Sequence, residues 1–298
     1  MEHFANGVAI ERDAIEVPDF IIQELVAMRD YTENLHYEFV GDTAIHRDSG
    51  TVYSMGSQKE WPIRVHPHFP PEGVEVSKES VDFWNKTEQE IYKHVLKYLE
   101  EYPLLIHSLW WRDKGHALVY EPGARLQLHQ DNNVGYSWET RKEVVGRNEI
   151  STRNVLTTTL HVDDCEGGDM VFPYAGVSFP PRRGDLLIFP ANYLGAHEVT
   201  IVKEGSRRIS YLGWFGQGST EPLNTPVGEE FDTLKIYDPD EAPQAGVLWQ
   251  KHIERDFMES SGWSHKEMHK KYPAWGYQQT PVYWTTVDND DSVGSDDS

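Results

Sequence analysis

Residues 125–137 read RLQLHQDNNVGYS and place His129 and Asp131 one residue apart in a stretch of alternating character. In a β-strand, residues i and i+2 share a face, so this pair can offer an imidazole nitrogen and a carboxylate oxygen to one ion. Two ligands do not make a site, and a third must come from elsewhere. The best candidate is His197 in FPANYLGAHEVTIV, at the opening of a later strand. Two histidines and one carboxylate on one side of an ion leave other coordination positions open, which suits a reactive divalent metal such as Fe(II). A bare H-x-D string is common by chance, and its bland reading is two surface residues at a strand end.

A second signal lies ten residues beyond His197. In HEVTIVKEGSRRISYLGWFG, Gly205 lets the chain turn before an apolar strand, and Arg207 and Arg208 follow. An arginine can grip a carboxylate with two parallel hydrogen bonds, which lysine does not reproduce. An acid co-substrate could then chelate the metal at one end and be held by a guanidinium at the other. A two-residue hairpin centred on Glu204-Gly205 puts Arg208 and Ser210 on the His197 face, whereas one extra residue at Gly205 puts Arg207 there. Parity leaves that choice open.

The elements that must position these residues follow from periodicity. A helix is predicted over 17–31, with Asp19 as N-cap and Ile21, Leu25 and Met28 at helical spacing. Residues 40–75 read as irregular, with RVHPHFPPEG as a Pro-rich surface loop. A second helix is predicted over 77–102, capped by Ser77 or Ser80, with Val81, Trp84, Ile91, Val95, Tyr98 and Leu99 as its apolar stripe. From Leu104 the texture changes to short Val-, Leu-, Thr- and aromatic-rich runs. Strands are expected at 104–111, 116–121, 125–130, 154–162, 177–179, 185–189, 197–202 and 207–215. Many short strands without interleaved long helices indicate an antiparallel sandwich or jelly roll. Helices are expected near 245–259 and 263–271. The expected organisation is an N-terminal helical and irregular support region over 1–103, a β core over 104–218, a mixed extension over 219–287 and a solvated acidic tail over 288–298.

Composition narrows the function classes. Lys plus Arg total 27 against 49 Asp plus Glu, a formal charge of −22, which disfavours nucleic-acid and anionic-membrane partners. No apolar run reaches membrane-spanning length, and the first residues carry no signal-peptide pattern. The single cysteine, Cys165, cannot form an internal disulfide, which fits a reducing, cytoplasmic location. The extension after 218 is the expected site of any homodimer contact.

The ordered set of signals from Tyr120 to Trp214, about a third of the chain, resembles the catalytic domain of the Fe(II)- and 2-oxoglutarate-dependent dioxygenases. It is most similar to the prolyl 4-hydroxylase-like branch. The matching positions are Tyr120, Gly123, His129-Gln130-Asp131, Arg153, the TTTLHVDD stretch, Gly167-Gly168, Phe172-Pro173, Pro181 with Gly184, His197, and Gly205-Ser206-Arg207. The resemblance implies a mainly β fold with a double-stranded β-helix (jelly roll) core, flanking N-terminal helices and a mixed C-terminal extension. It implies Fe(II) held by His129, Asp131 and His197, with 2-oxoglutarate and O₂ as co-substrates. By the G-x-[KR] spacing it places the C5-carboxylate of 2-oxoglutarate on Arg207, with Tyr120 as a hydrogen-bond partner, while Arg208 with Ser210 is the competing choice. The implied reaction is hydroxylation of an unactivated C–H bond with release of succinate and CO₂, with ascorbate as a possible reductant. Asp131 favours hydroxylation over halogenation. The implied substrate is an amino acid, a prolyl peptide or another small metabolite. Leu126 stands where prolyl hydroxylases usually carry an aromatic, a departure that bears on the substrate.

Other residues have plainer readings. Arg153 reads as a structural partner of acidic loop residues, and Thr157, Thr158 and Thr159 as β-propensity choices. Gly167-Gly168 reads as a turn. His265 and His269 lie four apart on a helix but lack the Glu that a zinc site of that type needs after the first His. His66 and His68 lie in the Pro-rich loop without a nearby acid, and Trp110-Trp111 read as core or interface packing. Two rival classes are a cupin-type metal enzyme that uses no keto-acid and a non-catalytic binding module on the same fold.

Overall fold

The computed structural model describes residues 1–40, 43–46, 52–54, 61–109, 111–112, 114–132, 153–217, 246–247 and 250–272. The acidic tail and most of the extension lie outside the described residues, as do Trp110 and the side chains of Trp111, Arg153, His265 and His269.

The chain opens with β1 (Glu2–His3) and β2 (Ala9–Glu11), paired antiparallel. Helix α1 (Asp19–His36) then buries Ile21, Leu25 and Met28, the spacing that predicted it. The stretch expected to be irregular instead holds a three-stranded meander, β3 (Tyr37–Val40), β4 (Thr43–His46) and β5 (Val52–Ser54), followed by β6 (Ile63–Val65). Helix α2 (Lys78–Leu99) starts at Ser77, whose hydroxyl accepts from the Ser80 amide at 3.1 Å. Trp84, Ile91, Val95, Tyr98 and Leu99 are buried as expected, whereas Val81 is exposed.

The strand expected at 104–111 is mostly a 3₁₀ helix, Pro103–Ser108, with only β7 (Trp111–Arg112) extended. Pro103 at the first helical position explains the difference, because its fixed φ seeds a helical turn that apolar content alone does not reveal. The remaining strands are β8 (His116–Tyr120), β9 (Leu126–His129), β10 (Arg153–His161), β11 (Met170–Phe172), β12 (Val177–Phe179), β13 (Leu186–Pro190), β14 (His197–Val199), β15 (Arg208–Gln217) and β16 (Gly246–Val247). Helices α3 (Gln250–Ser261) and α4 (His265–Lys271) close the described chain.

The topology is a double-stranded β-helix. The order β13-β10-β15-β8 forms one wall and β12-β11-β14-β9 the other, so strands β8 to β15 alternate between two antiparallel sheets, except that β11 and β12 form a hairpin within one of them. The first wall is extended to nine strands, partly by β1 and β2 next to β13 and by β6 next to β8. Side-chain alternation then divides the core. Ile209, Tyr211 and Phe215 of β15 join Leu25, Trp84, Val95, Ile253 and Phe257 in the layer between sheet and helices. Met170, Phe172, Leu187 and Phe189 pack between the two walls. Arg208, Ser210, Leu212 and Trp214 take the opposite face of β15 from Ile209 and Tyr211, toward the barrel interior.

A buried ionic network fastens α2 to the main wall. Glu88 accepts from the Arg112 guanidinium and the Tyr211 hydroxyl in short contacts, and from the Gly115 amide at 3.2 Å. His68 Nε2 lies 2.8 Å from the Tyr211 hydroxyl, which ties the loop after β6 to the same carboxylate.

Candidate metal centre and the barrel interior

His129 ends β9, His197 opens β14, and the two are direct register partners. Their ring centroids are 4.3 Å apart. His129 Nε2 lies 3.4 Å from Asp131 Oδ1, and one ligand atom from each of His129, Asp131 and His197 lies within 4.8 Å of the others. The structure therefore brings together the three residues selected from spacing alone. His197 (2 % exposed) and Asp131 (6 %) are buried, while His129 is half-buried.

Each imidazole is held from behind. His129 Nδ1 donates to the Gln127 carbonyl at 2.7 Å and His197 Nδ1 to the Gly195 carbonyl at 3.0 Å. Donation from Nδ1 fixes the tautomer and leaves the Nε2 lone pairs for a ligand-accepting ion. Gly195 is required there, since a Cβ would sit 1.9 Å from the Pro190 carbonyl oxygen. Asp131 is oriented by Thr157, whose hydroxyl donates to Oδ2 at 2.9 Å, and its carbonyl accepts from Asn154 Nδ2 at 2.8 Å. Burial pushes the His197 imidazole down to about 4, so it is neutral near pH 7. Burial alone would raise the Asp131 carboxyl, but the hydrogen bond from His129 and the nearby imidazoles hold it below its ordinary value. Burial would likewise lower His129, and the bond and charge of Asp131 outweigh it and raise that imidazole. Two imidazoles and one carboxylate, preoriented and converging, fit a divalent ion with open positions, which would take the place of a proton on His129 Nε2.

The two arginines part company. Arg207 is 38 % exposed and its Nε and Nη2 donate to Glu121 at 2.8 and 3.2 Å. Arg208 is 1 % exposed, lies 4.8 Å from the Tyr120 ring centroid and donates to the Ser210 hydroxyl at 2.9 Å. The placement of Arg207 toward the metal is thus not found, and the reason is topological. The hairpin on which the parity argument rested does not exist, because β14 pairs with β9 and β11 whereas β15 pairs with β10 and β8. The chain crosses from one wall to the other through a turn at Lys203–Ser206, closed by a 3.1 Å amide-to-carbonyl bond. Tyr120 is the register partner of Arg208 and is fully buried, so burial raises its phenol and keeps it protonated.

One interior polar residue, His161, escaped the sequence reading, and it lies beside two that were named, Thr159 and Arg208. Arg208 Nε, Thr159 Oγ1 and both nitrogens of His161 are buried with no hydrogen-bond partner among the described residues. His161 is the register partner of Ser210 and Thr159 that of Leu212, so these groups lie on the interior face with Arg208. Burial, followed by the Arg208 charge, drives the His161 imidazole well below its usual value and keeps it neutral. A signal existed. The alternation Thr157, Thr159, His161 puts three polar residues on one face of the strand, opposite Leu156 and Leu160. Gly168 serves more than a turn. Its φ is +66°, and a Cβ there would lie 2.8 Å from Arg208 Cδ, so the glycine makes room for the arginine stem.

A buried guanidinium nitrogen without a hydrogen-bond acceptor among the described residues, in the same interior as a three-residue metal-ligating cluster, leaves a place for an acceptor that is not protein. A dicarboxylic keto-acid spanning the two fits that place.

Residues 115–216 match the family model described as the 2OG-Fe(II) oxygenase superfamily. No curated protein sequence matches the chain. Among solved structures, a viral collagen prolyl hydroxylase from Paramecium Bursaria Chlorella virus-1, in a 2OG complex, is 13 % identical, covers 72 % of this chain and 98 % of its own, with a TM-score of 0.43. A Pseudomonas putida prolyl-4-hydroxylase is 16 % identical over 72 % of this chain and 95 % of its own, with a TM-score of 0.41. A Trichoplax adhaerens prolyl hydroxylase, in complex with a hypoxia inducible factor oxygen degradation domain peptide fragment, is 13 % identical over 71 % and 84 %, with a TM-score of 0.41. Fe(II), 2-oxoglutarate and O₂ are the cofactor and co-substrates that go with the superfamily model. The matched segment, 115–216, carries the strands of the barrel from His116 to Gly216 together with His129, Asp131 and His197.

Proposed function

We propose that this chain is a 2-oxoglutarate-dependent dioxygenase that hydroxylates an unactivated C–H bond of an amino acid, peptide or other small metabolite. His129, Asp131 and His197 hold Fe(II). Arg208, aided by Ser210 and Tyr120, receives the distal carboxylate of 2-oxoglutarate, in place of Arg207. The observation that carries this reading is the buried, unpartnered Nε of Arg208 on the interior face of the barrel that also holds the triad.

When bound, the ferrous ion and the keto-acid supply the oxidising power: O₂ and 2-oxoglutarate are consumed, succinate and CO₂ leave, and one oxygen atom enters the substrate C–H bond. The chain's own residues orient and exclude. The carbonyls of Gln127 and Gly195 keep the imidazole nitrogens aimed, and Thr157 holds one oxygen of Asp131 so that the other stays turned inward. Arg208 fixes the keto-acid by charge-assisted hydrogen bonds, and Tyr120 stacks on the guanidinium face while keeping its proton. The apolar packing of Phe172, Phe189 and Val199 around the ligands keeps water from the reacting atoms.

A succinate-release screen of amino acids and Pro-containing peptides with Fe(II) and ascorbate tests the reading. Succinate formation should need both 2-oxoglutarate and the intact triad. Separately, His129→Ala and Asp131→Ala should abolish Fe(II) binding measured without turnover. Substrate oxidation undiminished without the keto-acid would favour a cupin-type enzyme instead. Wild-type Fe(II) affinity in both alanine variants would remove the metal assignment.

A further inference from the structure

At the opposite end of β15 from Arg208, the interior face carries a group of residues that neither the metal nor the keto-acid uses. His116 is the register partner of Leu212, and Trp214 is that of Thr157, the residue that holds Asp131. The His116 ring lies 5.0 Å from the Trp214 ring and 5.4 Å from that of His66. His66 directly follows β6, whose Arg64 pairs with Leu118 two residues along from His116. Arg64, His66, His116 and Trp214 therefore form one continuous shelf beside the metal ligands.

Three properties of the shelf point to a ligand. His116 is 2 % exposed, and its Nε2 has no hydrogen-bond partner among the described residues, a costly arrangement for a buried polar atom. Second, both imidazoles are held neutral: burial first, then the charge of Arg64, lowers each of them, so each offers one N–H and one lone pair. Third, Arg64 supplies a cation whose field reaches both rings, within a chain whose net charge is −22. The one acid among the charged groups acting on His116 is Asp131, a metal ligand in the proposed reading. Leu118 and Leu212 lie between the shelf and the keto-acid end and give that stretch an apolar wall.

We propose that the Arg64–His66–His116 shelf binds a carboxylate of the molecule that is hydroxylated, which makes that substrate a small carboxylic acid, such as a free amino acid, in preference to an internal residue of a peptide. This inference rests on the 2-oxoglutarate dioxygenase reading above. The carboxylate accepts the His116 Nε2–H, which ends the orphaning of that atom, and faces the Arg64 guanidinium at the rim. The aliphatic part then lies along Leu118 and Leu212 toward the triad.

Saturation-transfer NMR on the full chain, anaerobic and loaded with Fe(II) and 2-oxoglutarate, tests this without turnover. The probes are the free L-amino acids, each paired with its primary amide. At least one acid should bind, and its amide should bind about tenfold more weakly or worse, the loss of one charge-assisted contact. Arg64→Gln, at an exposed position, and His116→Phe, which preserves ring volume, should each weaken the acid about tenfold and leave the amide unchanged. Fe(II) and 2-oxoglutarate affinities, read by isothermal titration, should stay at wild-type values in both variants. Equal binding of acid and amide, wild-type affinity in both variants, or no acid bound at millimolar concentration overturns the proposal. Failure of the wild-type chain to bind 2-oxoglutarate at all would instead overturn the parent reading, and this proposal with it.

Discussion

His129 and His197 face one another as register partners on β9 and β14, with ring centroids 4.3 Å apart and both Nδ1 atoms tied to main-chain carbonyls two residues upstream. A ladder pair of this kind fixes the separation of two ligands by backbone geometry, before any ion arrives. The third residue of the cluster, Asp131, lies beyond the end of β9 and is held by contacts from Asn154 and Thr157.

That dependence gives the first prediction. Thr157→Val removes the hydroxyl that donates to Asp131 Oδ2 at 2.9 Å while keeping the branched shape of the side chain. Loss of such an outer-shell contact weakens metal binding by about 10–100-fold, as isothermal titration with Fe(II) or Mn(II) would register. Far-UV circular dichroism should not change. An unaltered metal affinity would show that Asp131 is held by other means.

The arginines provide the second. Arg208→Leu should weaken 2-oxoglutarate binding roughly tenfold to a hundredfold, because a lost charge-assisted hydrogen bond costs about 1.5–3 kcal/mol. Arg207→Leu removes a partly exposed pair with Glu121, and its effect on keto-acid affinity should be within about twofold. Titration of both variants with 2-oxoglutarate decides between them, and the reverse order would return the clamp to Arg207.

The buried network under α2 concerns stability. Glu88→Gln removes the Glu88 charge from its buried pair with the Arg112 guanidinium, and breaking such a pair costs about 3 kcal/mol or more. Urea unfolding should show a lower midpoint with an unchanged slope. Tyr211→Phe, which removes one donor and no charge, should cost less.

Buried histidines set a pH dependence. His68 is held at about 4 and His116 at about 3, chiefly by burial, against 6.5 for the free imidazole. The unfolded chain therefore takes up protons at these positions as pH falls below about 6.5, while the folded chain does not until much lower. Their contribution to stability is complete above pH 6.5 and is lost as the pH drops toward 4, at up to about 1.4 kcal/mol per unit for each residue. His129, whose imidazole is raised, acts in the opposite direction. The diagnostic quantity is thus the difference between wild type and His68→Gln in thermal melts at pH 7 and 5. The variant should lose less stability on acidification.

Seven of the eight barrel strands and the convergence of His129, Asp131 and His197 were legible because period-two alternation and the H-x-D spacing are local properties, whereas β11 (Met170–Phe172) was missed because three residues carry too little alternation to register. What failed was non-local. Nothing near Gly205 announces that the chain crosses between walls, so a hairpin argument could not choose between Arg207 and Arg208. The β6 strand hides in a Pro-rich stretch because it is only three residues long and takes its stability from β8. Residues 104–108 looked extended because their apolar content suits either state, and the proline in front decided for a helical turn. His116 and His161 were passed over as single histidines in apolar runs, and only the sheet register shows that they share an interior face with the ligands.

The contacts around Asp131 tie its main chain and its side chain to one strand. Asn154 and Thr157 of β10 grip the carbonyl and the carboxylate of the same aspartate. The aim of that carboxylate is therefore inherited from the main wall of the barrel, although the aspartate itself follows β9 of the other wall, and any sliding of one wall against the other would be felt first at this residue.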